Sequence, residues 1–274
     1  MSKTKRLILV LISAAVGAAS LEAWGPKSHA ADKVSAWMGY EKQEFQVDGC
    51  AAFLVIPKSP ADGNPWIWRT EFFGHEPQAD LALAAKGFHL AYVDVQNLYG
   101  SPKALDHMDK FYEHVTMERG LSKQVALEGF SRGGLFSLNW AARNPTKVSC
   151  IYNDAPVCDF KSWPGGKGKA KGSPGDWQRC LAVSGLTEQQ ALEYKLNPID
   201  NLEPLAKARI PLLHICGDAD DVVPMDENTR IVEARYKKLG GSITVIAKPG
   251  VGHHPHSLVD PKPIVEFVLE HTGR

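Results

Sequence analysis

The chain carries no surplus of charge: 31 Lys and Arg balance 31 Asp and Glu over 274 residues. That excludes a protein drawn onto nucleic acid or anionic lipid by its overall field. No two of its five cysteines, Cys50, Cys150, Cys158, Cys180 and Cys216, are spaced as Cys-x-x-Cys, so the common zinc and redox motifs are excluded too. No segment recurs with a period of roughly 20 to 50 residues, which rules out solenoids and propellers. Past residue 30, no apolar run approaches the ~20 residues that a spanning helix needs. What remains is an ordinary globular composition, 44 % hydrophobic and 23 % charged, long enough for one large core.

The N-terminus reads differently from the rest. Lys3, Lys5 and Arg6 precede an apolar run over residues 7–19, and small residues around Ser28-His29-Ala30 offer a cleavage site. This is the pattern of a signal peptide over residues 1–30, so export to the periplasm or medium is expected, with a single domain over 31–274. An oxidising compartment allows Cys158 and Cys180, which flank a loop-rich stretch, to pair. Cys150 and Cys216 sit in apolar, strand-like runs, where a thiol behaves as a small buried hydrophobe.

From there on, short apolar runs alternate with amphipathic segments of helical length. The runs fall at 51–56, 66–68, 89–95, 125–127, 148–152, 211–216 and 243–247. The helical segments fall at 79–86 before Gly87, 103–119 before Gly120, 133–144 before Pro145, 227–239 before Gly240, and 263–271. Strands alternating with helices imply an α/β fold, a three-layer α/β/α sandwich on a mainly parallel sheet. In such sheets the site lies beyond the carboxyl ends of the strands, so the residues just after each apolar run carry the chemistry.

After the run at 125–127 comes Gly129-Phe130-Ser131-Arg132-Gly133, followed at once by a helical segment. A sharp strand-to-helix turn crowds the backbone, and glycines on either side relieve it around an exposed serine Oγ. Such a serine needs a base, and the base an orienting carboxylate. The run at 211–216 leads into Gly217-Asp218-Ala219-Asp220-Asp221-Val222-Val223-Pro224, three carboxylates in one turn. The run at 243–247 leads into Gly250-Val251-Gly252-His253-His254-Pro255-His256. Asp218 and Asp221 stand as alternatives to Asp220, and His254 and His256 as alternatives to His253.

The order serine, Gly-x-x-Asp-x-x-Val-Pro and a late Gly-His resembles the α/β-hydrolase superfamily, most closely its dienelactone-hydrolase and prolyl-oligopeptidase-like branches. The resemblance implies Ser131 as nucleophile, Asp220 as acid and His253 as base. It implies an oxyanion hole from the Arg132 amide and one from the loop after 66–68, at Glu71 or Phe72. It also implies a cap inserted after the sixth strand, over about 155–200, in which Trp163 and Trp177 either stack on a sugar ring or pack the cap on the core. Phe72 joins them as a candidate substrate contact. Arg132 and Arg69 offer a fork for a substrate carboxylate, but pairing with Glu71, Glu76 or Asp154 is the preferred reading. No cofactor is expected, and no metal, since the serine elbow already accounts for a histidine in the late loop.

The function expected is a secreted serine esterase acting through an acyl-enzyme, on an acetyl or methyl ester of a carbohydrate. Two rivals stand beside it: a prolyl-oligopeptidase-like serine peptidase, and a non-catalytic binding protein on the same scaffold. The expected partner is a small-molecule or glycan ester, with no nucleic acid and no stable membrane insertion.

Overall fold

The computed structural model describes residues 32–273; the expected signal peptide lies outside them. In chain order the elements are β1 (Lys33–Trp37), β2 (Tyr40–Val47), β3 (Cys50–Ile56), β4 (Trp66–Arg69), α1 (Gln78–Ala85), β5 (His89–Val93), α2 (Pro102–Met117), β6 (Val125–Phe130), α3 (Gly133–Arg143) and β7 (Val148–Asp154). After these come α4 (Pro174–Ser184), α5 (Glu188–Glu193), α6 (Glu203–Lys207), β8 (Leu212–Gly217), α7 (Thr229–Lys238), β9 (Ile243–Lys248) and α8 (Lys262–His271). The strands form one nine-stranded sheet in the order β1-β2-β3-β5-β4-β6-β7-β8-β9. Pairing is antiparallel from β1 to β5 and parallel from β5 to β9.

The middle of the sheet is covered on both faces, so its strands are apolar almost without a break. All six residues of β6 are buried. Alternation sorts β4 between two cores: Trp66 and Trp68 pack with Phe111 and Trp140 on one face, and Ile67 packs with Leu90, Val265 and Val268 on the other. Helices α2 and α3 cover the first face; α1 and α8, in contact with each other, cover the second. This is the three-layer arrangement expected from the alternation of runs.

Two strands escaped the sequence reading. β1 and β2 have one wet face and are rich in Lys, Glu and Gln, so they contain no continuous apolar run. Their signal lay in the turns. Met38-Gly39 and Asp48-Gly49 hold two successive positive φ angles, 49° and 83°, then 52° and 78°, the geometry of a tight two-residue hairpin. Counted with these strands, the insertion leaves the sheet after β7, the seventh. It carries α4 and α5. Cys158 and Cys180 do not pair: both are buried free thiols that pack in the first core as small hydrophobes.

A buried charge cluster fastens the end of β4. Arg69, 0 % exposed, donates to Asp80 Oδ2 (2.5 Å), to the carbonyl of His75 (2.5 Å) and to that of Glu71 (3.4 Å), and its Nη1 lies 3.3 Å from Glu128 Oε1. Burial and the neighbouring Asp80 carboxylate push Glu128 well above the usual carboxylate range. Glu128 therefore holds a proton more readily than an ordinary carboxyl, and Asp80 is the nearer carboxyl partner of Arg69. Removing the cation leaves buried carboxylates without a partner; Arg69→Met is expected to cost about 3–5 kcal/mol in urea unfolding. Asp80→Asn is expected to cost clearly less, because Arg69 keeps a second carboxyl, Glu128, 3.3 Å from its Nη1. Equal losses in the two variants would contradict this pairing.

Candidate active site

At the carboxyl end of β6 the chain turns into α3 with Ser131 at φ 50°, a left-handed conformation that costs a non-glycine residue free energy and persists only where its surroundings enforce it. They do so here. The Ser131 amide donates to Asp154 O (2.9 Å), and its carbonyl accepts from Gly134 (3.0 Å) and Val157 (2.8 Å). A Cβ at Gly129 would sit 2.5 Å from Asn153 Oδ1, and one at Gly134 would sit 2.6 Å from Pro156 Cβ. The flanking glycines are thus required by close approach of β7 and the segment after it. α3 begins at Gly133, so its free N-terminal amides and positive dipole end lie at the serine.

The two late loops converge on Ser131. Asp220 Oδ1 accepts from the amides of Val222 (2.9 Å) and Val223 (2.8 Å), and Oδ2 accepts from His253 Nδ1 at 2.7 Å. A carboxylate only accepts, so Nδ1 carries the proton and Nε2 presents its lone pair to Ser131 Oγ, 3.0 Å away. Three of the four alternatives are engaged elsewhere. Asp218 accepts from the Gly250 amide (2.7 Å) and holds the histidine loop, while Asp221 is exposed and pairs with Lys171 (2.5 Å). His256 pairs with Asp154 through Nδ1 (2.7 Å). His254 is exposed on the loop.

The opposite wall is the loop 70–77. Thr70 Oγ1 donates to the carbonyls of Glu128 and Gly133, both 3.0 Å away, which clamps the loop against the elbow. Glu71 follows, 0 % exposed, with its backbone beside Gly133. Its carboxylate meets Arg132 at Nε (3.2 Å) and Nη2 (3.3 Å), and the guanidinium lies over the rings of Phe72 and Tyr99, 5.3 Å from each. Both candidate arginines are therefore committed to internal pairs. Phe72, at φ 51° and 38 % exposed, forms the rim. Phe72, Phe73, His75, Ser131, His253, His254 and His256 line one pocket of about 420 Å³.

The two cap tryptophans do not line that pocket. Trp177 is 4 % exposed, packs on Phe160 and donates to Glu188 (2.6 Å); Trp163 stacks on Tyr99 with 6.4 Å between centroids. Packing of the cap, the other reading open from the sequence, accounts for both. The pocket residues that the sequence reading passed over are Phe73, which adjoins Phe72, and His75.

Residues 87–273, more than half of the chain, match the family model described as the prolyl oligopeptidase family. The chain belongs to that family. It is a serine hydrolase. Among solved structures it resembles a puromycin-hydrolyzing peptidase of Mycobacterium tuberculosis at 13 % identity and TM-score 0.63, over 84 % of this chain and 38 % of that one. It resembles the acylaminoacyl peptidase of Pyrococcus horikoshii at 15 % identity and TM-score 0.63, over 89 % and 42 %. A bacterial membrane phospholipase A matches at 18 % identity and TM-score 0.51, over 86 % of each chain. At these identities the likeness is one of fold, and the chain spans about two fifths of the length of the two peptidases. No curated protein matches it.

Within this member of the prolyl oligopeptidase family, Glu71 is the carboxyl whose charge is most finely balanced beside Ser131. Burial pushes it up from its ordinary 4.5 to about 7, outweighing the attraction of Arg132. A carboxyl raised in the folded state holds its proton where the unfolded chain has lost it. Stability from this group is therefore full below pH 4.5 and is lost as pH rises to about 7. In Glu71→Gln the fall of Tm between those pH values is expected to be shallower than in the parent. Parallel Tm curves for the two proteins would contradict the raised value.

Proposed function

We propose that this chain hydrolyses an acyl bond through an acyl-enzyme on Ser131. The observation that carries the reading is the unbroken contact from Asp220 through His253 to Ser131, ending at the pocket. Ser131 Oγ attacks the substrate carbonyl carbon as its proton passes to His253 Nε2, and Asp220 holds the Nδ1–H tautomer and stabilises the imidazolium. The amides of Arg132 and Glu71, at the start of α3 and beside Gly133, are the donors we assign to the oxyanion. Collapse of the tetrahedral intermediate breaks the bond to the leaving group, which takes the proton from His253. Water then repeats the sequence and frees Ser131.

We infer a peptide-like amide as the substrate class. Membership of the prolyl oligopeptidase family and the fold shared with two peptidases support it, and His253 supplies the proton that a leaving amine requires. An ester is the second reading, favoured by the phospholipase A that this chain matches over most of both lengths. The carbohydrate ester expected from the sequence has lost its structural support, because the rings meant to stack on a sugar pack the cap instead. We also propose export, resting on the N-terminal pattern alone. Among the described residues no helix is long and apolar enough to cross a membrane.

Two substrate panels test this reading: aminoacyl and dipeptidyl p-nitroanilides, and p-nitrophenyl acyl esters. The parent chain is expected to release nitroaniline, and Ser131→Ala to lose roughly a millionfold in kcat with its thermal melt unchanged. Turnover retained in Ser131→Ala would remove the mechanism. Ester cleavage with every anilide untouched would remove the peptidase reading and leave the second.

A further inference from the structure

Three histidines meet in the pocket of Ser131 without taking part in its hydrogen-bonded chain. His75 comes from the loop after β4, His254 and His256 from the loop after β9. One ring nitrogen from each lies within 4.8 Å of the others, and the rings stand nearly perpendicular, with centroids 5.9, 5.8 and 4.7 Å apart. His253 is not available to such a cluster, since Asp220 and Ser131 occupy both of its nitrogens.

His256 shows the cluster to be built. It is 4 % exposed, its Nδ1 donates to Asp154 Oδ1 at 2.7 Å, and Asp154 Oδ2 accepts from the Ser257 amide at 2.8 Å. An imidazole whose one nitrogen is fixed by a carboxylate keeps the other as a lone pair with raised basicity, the usual support of a metal-bound histidine. Among the described residues neither His75 nor His254 makes a ring hydrogen bond. Glu76 Oε1 lies 4.0 Å from His75 Nε2.

We propose that His75, His254 and His256 bind one divalent transition-metal ion of the zinc class beside Ser131. Three imidazoles suit borderline ions such as Zn²⁺ and Co²⁺ and are poor ligands for Ca²⁺ or Mg²⁺. Tetrahedral bonds of about 2.1 Å place ligand nitrogens about 3.4 Å apart, so the cluster closes by about 1.4 Å at most, a movement that falls on the two exposed loop side chains. Three protein ligands leave a position for water or a substrate oxygen, as in sites that act on substrates. The three histidines line the same pocket as Ser131. The expectation of no metal rested on the late loop alone, which supplies only two ligands; the fold brings the third from a loop far away in sequence.

Equilibrium dialysis of the chelator-treated full chain against Zn²⁺, with Co²⁺ absorption as a second readout, decides the matter. One ion per chain is expected, with the intense visible bands of four-coordinate Co²⁺. His75→Ala and His254→Ala, both exposed and checked for folding by circular dichroism, are each expected to weaken binding by about 100-fold or more and to abolish the bands. His253→Ala is expected to retain both. The proposal is overturned if the parent takes up no ion, if the two ligand variants bind as the parent does, or if binding is lost only with His253.

Discussion

At the end of β6 the backbone turns so sharply that Ser131 is held in a left-handed conformation, and much of the molecule serves that turn. The carbonyl of Asp154 receives its amide, and Gly134 and Val157 donate to its carbonyl. Glycines stand where β7 and the chain beyond it leave no room for a Cβ. Together these contacts hold Ser131 Oγ 3.0 Å from His253 Nε2, at the end of the hydrogen-bonded chain that starts at Asp220. The parallel sheet matters for the same reason. It delivers β6, β8 and β9 side by side in direction, with their carboxyl ends on one rim, so that loops distant in sequence meet over the serine.

The opposite wall depends on charge rather than on strand order. Arg69 draws the carbonyls of Glu71 and His75 inward toward Asp80, and Thr70 bridges the loop to the elbow. Between these ties Glu71 reaches Arg132, the residue next to Ser131. The electrostatics of the wall thus reach the turn at Ser131 through the Glu71–Arg132 pair, and burial leaves Glu71 near the point where a carboxyl gives up its proton.

Much of this could be read from the sequence, for physical reasons that also mark the limit. β6, β7 and β8 are buried on both faces and announced themselves as apolar runs, as did the half-buried edge strand β9; the elbow announced itself through glycines that only a crowded turn demands. Asp220 and His253 sat where strands end. β1 and β2 escaped because a strand with one wet face looks polar, although Asp48-Gly49 was a turn signal in plain view. Trp163 and Trp177 suit a sugar site or a cap core equally well in one dimension, and only packing on Tyr99 and Phe160 separates the two. The convergence of His75 with His254 and His256 depends on the meeting of two distant loops, which no local pattern encodes.

The proposal that His253 activates Ser131 is the one on which the rest depends, and covalent labelling with a fluorophosphonate followed by peptide mass analysis tests it most directly. A single adduct on the peptide containing Ser131, formed by the parent chain and lost in His253→Ala, is the result predicted. A folded parent chain that takes no label, or takes it on another residue, would contradict it.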